Sequence, residues 1–234
     1  MLTIDNLNAW YGASHVLQDV RLTVNRGEVV SLLGRNGAGK TTTIKAIMGL
    51  LKKTSGSIRF KDRELRGMEA HQRFGLGLAY VPEERRIVPG LTVLENIRLG
   101  ILACGQRGRE QDLIDNIAAT FPRLKERLGQ VAVTMSGGEQ QMLAIARAMA
   151  ADPDMIILDE PSEGIMPVLV DEMFELFAQL KRQGKTILLV EQSVESALGI
   201  SDRAYILDQG AVVYTGEAAA MLADAEIQER YCTV

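Results

Sequence analysis

The sequence is poor in cysteine, and this limits both its redox setting and its metal chemistry. Cys104 and Cys232 are the only two cysteines, and neither belongs to a cluster with the spacing of metal ligands. The sequence therefore gives no support to a disulfide framework or to a structural zinc site. We expect two free thiols in a reducing cytosol.

The sequence also lacks a long apolar run, a targeting segment and an excess of basic residues. No run approaches the ~18 apolar residues that a membrane-spanning helix needs. The start, residues 1–7, has no basic segment followed by an apolar stretch, so we predict no signal peptide. The net charge of −4 argues against a nonspecific nucleic-acid binder, which usually presents a basic face.

The chain of 234 residues instead shows strands alternating with helices. Strands are predicted at 2–7, 16–24, 29–33, 57–60, 78–81, 155–158, 186–190, 204–207 and 211–214. Helices are predicted at 40–49, 139–150, 167–183 and 193–200, with a mostly helical insert at about 91–128. Because such alternation places helices on both faces of a parallel sheet, the prediction is an α/β fold. It has a mainly parallel sheet, an antiparallel β portion and an inserted helical subdomain.

Residues 34–41 form a complete loop of the pattern G-x-x-x-x-G-K-[ST], between a predicted strand and a predicted helix. The glycines let backbone N–H groups turn towards phosphate oxygens, and the helix adds its positive N-terminal end. Lys40 is expected to reach the β- and γ-phosphates, and the Thr41 hydroxyl to bind Mg²⁺. A chance glycine-rich turn is the alternative, but the flanking strand and helix favour a phosphate-binding loop.

The apolar segment 155–158 ends in two carboxylates, Asp159 and Glu160. Since the carboxyl ends of parallel strands line one crevice, we expect Asp159 near the phosphate-binding loop. One carboxylate would hold the Mg²⁺ shell, and Glu160, pointing to the other face, would polarise a water for in-line attack. Such a pair alone usually marks a solvated strand end, so the catalytic interpretation depends on the loop.

Residues 136–141 read Ser-Gly-Gly-Glu-Gln-Gln and precede an apolar stripe on one helix face. Ser136 and Glu139 also fit a capping box, which would make the motif only a helix start. Together with the loop and the Asp-Glu strand end, however, the motif resembles the signature of ABC ATPases, over essentially the whole chain. The resemblance implies a single ATP-binding domain at 1–234, with a helical subdomain at about 91–150. It also implies two domains head to tail, each signature helix facing the other's ATP.

The resemblance gives each candidate residue a role. The expected catalytic residues are Glu160 and Lys40. ATP binding falls to Tyr11, Gly34, Arg35, Asn36, Gly37, Ala38, Gly39, Lys40, Thr41, Thr42 and Gln192, with Tyr11 stacking on adenine. Binding of the other domain's ATP falls to Ser136, Gly137, Gly138 and Glu139. The Mg²⁺ ligands are Thr41, Glu83 and Asp159.

Three positions depart from the family pattern. Glu83 replaces the glutamine of the glutamine loop, Gln192 replaces the switch histidine, and Met166 stands where most members have aspartate. The runs at 81–83, Val-Pro-Glu, and 188–192, Leu-Leu-Val-Glu-Gln, resemble one branch. That branch comprises the ATPases of branched-chain amino-acid importers and of their urea and short-chain amide relatives.

Three functions remain open at this point. The first is the ATPase of an importer, on the cytoplasmic face of the membrane, using ATP and Mg²⁺. Its partners would be a second ATPase subunit, identical or homologous, transmembrane permease subunits and, indirectly, a solute-binding protein. The second is a soluble ABC ATPase of a cytosolic assembly such as iron–sulfur cluster biogenesis. The third, a nucleic-acid-linked ABC protein, predicts coiled coils or tandem domains that the sequence lacks, so we expect no nucleic-acid partner.

Overall fold

A computed structural model describes residues 1–105, 107–224 and 226. Its strands are β1 Leu2–Tyr11, β2 Ser14–Val24, β3 Val29–Leu33, β4 Thr54–Phe60, β5 Arg63–Glu64, β6 Leu78–Val81, β7 Met155–Asp159, β8 Thr186–Val190, β9 Arg203–Asp208 and β10 Ala211–Glu217. Its helices are α1 Lys40–Ile47, α2 Ala70–Gly75, α3 Val93–Ala103, α4 Glu110–Thr120, α5 Pro122–Lys125, α6 Gly137–Met149, α7 Pro167–Arg182, α8 Val194–Ile200 and α9 Ala218–Ala223. Short 3₁₀ turns lie at Arg107–Arg109 and Ala132–Thr134.

The larger sheet has six strands in the order β10-β9-β3-β8-β7-β6. All neighbours pair in parallel except β9 and β10, which pair antiparallel as a hairpin. Every residue of β3, β7 and β8 is buried, which explains why these strands are continuous apolar runs in the sequence. Because the carboxyl ends of parallel strands meet at one edge, the segments that follow β3, β7 and β8 come together there.

The antiparallel portion is a four-stranded sheet in the order β2-β1-β4-β5. Its first strand is longer than the predicted 2–7, because it continues to Tyr11. Asn6 has φ 49° and the register shifts between Ile4 and Leu7, so Leu7 and Ala9 still face the core. A bulge of this kind interrupts the period-2 pattern without ending the strand.

Two apolar layers hold the strands and helices together, one on each face of the larger sheet. The antiparallel sheet and α1 cover one face, where Leu32, Ile157 and Leu188 are buried. Helices α3–α8 cover the other, where Leu33 and Leu189 are buried. The layers fix the phosphate-binding loop, between β3 and α1, to the sheet edge.

The helical insert is confirmed, since α3, α4 and α5 lie within the predicted 91–128. Thr92 caps α3 in a capping box with Glu95, and Pro122 begins α5. The short elements α2, β5 and α9 lie outside the sequence predictions. In the parts of the chain described here, no helix combines the length and apolarity needed to cross a bilayer. The Cys104 thiol is free, and Cys232 lies outside the described residues.

Candidate functional site

The phosphate-binding loop links β3 to α1, as the sequence predicts. Gly34 has φ 145°, and a Cβ atom there would lie 2.2 Å from the carbonyl oxygen of Leu207, so the position accommodates only glycine. The tip of the loop, residues 35–37, is exposed, whereas residues 38–40 are buried. Helix α1 begins at Lys40, so its free N–H groups point into the loop.

The side chain of Lys40 lies across the loop rather than in solvent. Its Nζ donates to the carbonyl oxygens of Gly34, at 2.8 Å, and Arg35, at 3.3 Å. It also forms an ion pair with Glu160, with 3.3 Å between Nζ and Oε1. Lys40 is only 4% exposed, so this ion pair is poorly screened by solvent. The structure therefore places both predicted catalytic side chains in direct contact.

Glu160 reaches Lys40 by a route that differs from the predicted one. Strand β7 ends at Asp159, and Glu160 adopts φ 47°, so strand alternation does not set its direction. Its backbone N–H donates to the carbonyl oxygen of Val190 at 2.8 Å, which ties it to β8. Its second carboxylate oxygen accepts a hydrogen bond from Nε2 of Gln192. The residue at the switch position thus contacts the predicted catalytic carboxylate.

Asp159 lies beside the loop, at the end of β7. Its Oδ1 accepts from the Thr41 hydroxyl at 3.3 Å, and its Oδ2 from the Tyr80 hydroxyl at 3.1 Å. Burial raises the pKa of Asp159 to about 6, and the nearby Glu160 and Glu83 add to the increase. The two hydroxyl donors act in the opposite direction. Burial destabilises the negative charge of this carboxylate, and a cation bound beside it would stabilise that charge.

Glu83 is the most exposed of the three predicted metal ligands. Burial, and then the charges of Glu160, Glu84 and Glu163, raise its pKa. The carboxylate of Glu83 is therefore influenced by the charge of Glu160. Within the described ranges no group of three or more His, Cys, Asp or Glu residues has the geometry of a protein-only metal site. The donor set of one hydroxyl and few carboxylates matches Mg²⁺, which takes most of its oxygen ligands from phosphates and water.

The signature residues form the first turn of α6. Ser136 is its N-cap, and a full capping box joins it to Glu139. The capping box and the ion pair with Arg127, at 3.2 Å, keep the pKa of Glu139 below its ordinary value. A Cβ atom on Gly138 would lie 2.4 Å from the Leu169 Cδ1 atom, so the motif packs directly on α7. The helix-start and signature interpretations thus describe one structure.

Two predicted groups do not join the central cluster within one chain. In the portion that the structure describes, no hydrogen bond or ion pair connects residues 136–139 to residues 34–41. Tyr11 is 47% exposed at the end of β1. Trp10 instead stacks on His15, with ring centroids 4.6 Å apart. Tyr11 therefore keeps a ring available to a ligand, whereas Trp10 packs within the protein.

Two side chains of the site were not predicted from the sequence. Tyr80 donates to Asp159, and its only signal is a tyrosine in an otherwise apolar strand. Glu191 is buried, and its carboxylate accepts from the backbone N–H of Ser162, at 3.0 Å, and of Gln192, at 3.1 Å. Glu191 thereby joins the segment after Glu160 to the segment after β8. Burial raises the pKa of this carboxyl.

Comparisons with known proteins place this geometry in a family. A model of the ABC transporter family matches residues 17–163. The high-affinity branched-chain amino acid transport ATP-binding protein BraG of Pseudomonas aeruginosa is 42% identical over 231 residues, which are 99% of each chain. The lipopolysaccharide export system ATP-binding protein LptB of Haemophilus influenzae is 35% identical, over 99% of this chain and 96% of LptB.

A solved structure extends the similarity to the fold. The dimeric bacterial ABC transporter cassette MJ0796 superposes with a TM-score of 0.79 at 25% identity, over 93% of this chain and 99% of that one. The family model covers more than half of the sequence, and both relatives are matched over nearly their whole length. The chain therefore belongs to the ABC transporter family and is one of its ATP-binding ATPase subunits.

Proposed function

We propose that this chain drives an importer for branched-chain amino acids or related small solutes such as urea and amides. It would act in the cytoplasm, bound to the inner face of the membrane. The identity of 42% to a branched-chain amino acid transport subunit exceeds the 35% identity to a lipopolysaccharide export subunit. The Val-Pro-Glu and Leu-Leu-Val-Glu-Gln runs point in the same direction. The observation that carries the catalytic part is the contact of Lys40 and Gln192 with Glu160.

The bound nucleotide would lie along the loop at 34–42. The backbone N–H groups of the loop and the N-terminus of α1 would hold the phosphates, and Lys40 would supply the main cation. To do so, the Lys40 amine exchanges its bond to Glu160 for phosphate oxygens. The exposed ring of Tyr11 would stack on the adenine.

Mg²⁺ fits the oxygen donors gathered beside the loop. Thr41 and Asp159 would hold it directly, because their oxygens already approach each other. Glu83 stands at the glutamine-loop position, and its more exposed carboxylate would be a third ligand of the ion. When bound, the ion would neutralise charge on the β- and γ-phosphates.

Glu160 would act as the general base. Its carboxylate takes a proton from a water molecule, whose oxygen attacks the γ-phosphorus as the bond to the β-phosphate oxygen breaks. The products are ADP and inorganic phosphate. Gln192 would keep the carboxylate in position through its amide, which can donate and accept hydrogen bonds without changing charge.

The signature would complete the site of a second ATPase subunit. Residues 136–139 form a helix N-terminus that no described contact connects to the loop of the same chain. A dimeric cassette of the same fold supports an arrangement in which two subunits face each other. The partner would be a second copy or a homologous chain, and Ser136 would face its γ-phosphate.

The permease would dock in a groove of about 260 Å³ between α2, β6, α3 and α6. Its lining is mostly apolar and includes Phe74, Pro82 and the exposed Leu99. The adjacent Arg86 is exposed and paired with Glu84 at 3.4 Å, so it is a solvated side chain. Arg85 packs against Gly137 instead.

Two leucines of α3 allow a matched test of this docking site. Leu99 lines the groove, whereas Leu102, which is slightly more exposed, does not. Leu99→Lys should abolish copurification with the permease, whereas Leu102→Lys should retain it. Equal loss, or no loss, in both variants would contradict the groove assignment.

The transport assay uses the full complex in liposomes with the solute-binding protein. Leucine, urea and acetamide are supplied in turn, and ATP hydrolysis and solute uptake are measured. We expect one class of solute to raise hydrolysis and to accumulate inside. If no membrane partner changes turnover, the importer proposal fails. The alternative, a soluble ATPase of iron–sulfur cluster assembly, is not favoured, because both full-length relatives are transport subunits.

A further inference from the structure

Tyr80 occupies a position from which one side chain can reach the end of the neighbouring strand. It lies on β6, the edge strand of the larger sheet, and is paired in parallel register with Ile157 of β7. Asp159 follows Ile157 by two residues, so it lies on the same face of the sheet. The Tyr80 hydroxyl donates to Oδ2 of Asp159 at 3.1 Å.

The Asp159 carboxylate is held from two sides by hydroxyl groups. Thr41, from α1, donates to Oδ1, and Tyr80, from β6, donates to Oδ2. When the Thr41 oxygen turns a lone pair towards a cation, Tyr80 is the donor that still fixes the carboxylate. Groups that hydrogen-bond to a metal ligand in this way set its orientation.

Tyr80 also lines the groove that we assign to the permease. Its ring packs with the core on the α1 face of the sheet, whereas the neighbouring Val81 packs on the face of α3 and α6. Because side chains alternate along a strand, Tyr80 borders the groove with its main chain and reaches Asp159 with its side chain. Burial and the charge of Asp159 raise the pKa of its hydroxyl, and the charges of Glu84 and Arg86, which follow Glu83 in the chain, act on that pKa in opposite directions. Among the described residues that line this groove, Tyr80 alone hydrogen-bonds to the carboxylate of Asp159.

From this geometry we infer that Tyr80 is a positioning residue, which orients Asp159 towards the metal of a bound Mg²⁺–nucleotide and couples it to the docking groove. The first part requires only the nucleotide site. The second part rests on the proposed function, because it needs a permease segment in the groove. Occupancy of the groove then changes metal affinity, and metal binding changes permease affinity by the same factor.

The first experiment uses the isolated subunit carrying Glu160→Gln, which we expect to prevent most hydrolysis during the measurement. Tyr80→Phe removes only the hydroxyl, and ATP binding is measured by calorimetry with Mg²⁺ and with EDTA. We expect binding in EDTA to be unchanged and the gain from Mg²⁺ to fall roughly ten-fold, as for other groups that support metal ligands. Equal gains from Mg²⁺ with and without the hydroxyl overturn the positioning role.

A matched control separates this effect from a general loss of packing. Tyr205 is another tyrosine whose hydroxyl is hydrogen-bonded, to Thr23 at 3.1 Å, away from the nucleotide site. Tyr205→Phe should leave the gain from Mg²⁺ intact. A parallel loss of the Mg²⁺ gain in both variants overturns the inference, since it would mark a structural effect.

The second experiment measures the Mg²⁺ dependence of ATP binding with and without the permease in detergent. In the protein that retains Tyr80, we expect the permease to shift the Mg²⁺ concentration that half-saturates ATP binding by roughly five-fold or more. Tyr80→Phe should still copurify with the permease but lose this shift. The coupling is overturned if the shift is absent before substitution or unchanged after it. If the permease does not bind at all, the proposed function fails, and the isolated-subunit experiment still decides the positioning role.

Discussion

The carboxylate of Asp159 should make the stability of the nucleotide-free subunit depend on pH. Its pKa is about 6 in the folded chain, against 3.8 for an unperturbed aspartate. Below pH 3.8 both the folded and the unfolded chain hold this proton, and the residue costs nothing. As the pH rises towards 6, the unfolded chain ionises first, so the free energy of unfolding falls. Above pH 6 the whole cost is present, about 3 kcal/mol.

Asp159→Asn removes this cost while keeping an acceptor for the Tyr80 hydroxyl. The variant should therefore gain stability over the natural chain as the pH rises. Roughly half of the ~3 kcal/mol should appear between pH 5 and pH 8, since the unfolded chain is largely ionised at pH 5. The comparison is made at pH 5 and pH 8, where we expect both proteins to be folded before urea is added.

The assay is urea unfolding followed by circular dichroism, in EDTA and without nucleotide, because a bound ligand would add its own stabilisation. Asp5→Asn, on the exposed side of β1, is the matched control. Its effect should stay within about 0.5 kcal/mol at every pH. A difference between Asp159→Asn and the natural chain that stays constant or shrinks from pH 5 to pH 8 would refute the reasoning.

Three further results are expected. Lys40→Ala should lose ATP binding in calorimetry, because the phosphates lose their main cation, and retained affinity would contradict the loop assignment. If the subunit is a homodimer, mixing Lys40→Ala with Ser136→Arg chains should restore part of the ATPase activity, since mixed pairs contain one intact composite site. No recovery in a proven homodimer would count against that arrangement. Gly138→Ala should lower the unfolding free energy by about 1–3 kcal/mol, through its contact with Leu169. A Cβ atom at Gly129 would meet no atom within 4 Å, so Gly129→Ala should not lower the unfolding free energy through such a contact.

The sequence predicted the central strands and the phosphate-binding loop because several signals agree there. Buried parallel strands are continuous apolar runs, and the loop has a fixed glycine pattern before a helix. The prediction for β1 was too short, since the left-handed Asn6 breaks the alternation without ending the strand. Such a bulge depends on tertiary pairing and leaves only a weak local signal.

The contacts within the site were harder to predict than its members. Lys40, Asp159 and Glu160 follow from motifs, but the direction of Glu160 depends on its φ of 47°. The contribution of Tyr80 depends on the register of β6 against β7, which no local pattern specifies. Motifs therefore identified the residues, and the sheet register determined which of them touch.

The most direct test of the catalytic assignment is Glu160→Gln, measured for binding and turnover in the same preparation. The amide keeps the shape of the side chain and loses the carboxylate that would take the proton. The account predicts ATP binding close to that of the natural subunit and a loss of most ATP turnover. Hydrolysis at the natural rate in the variant would contradict the assignment of Glu160 as the base.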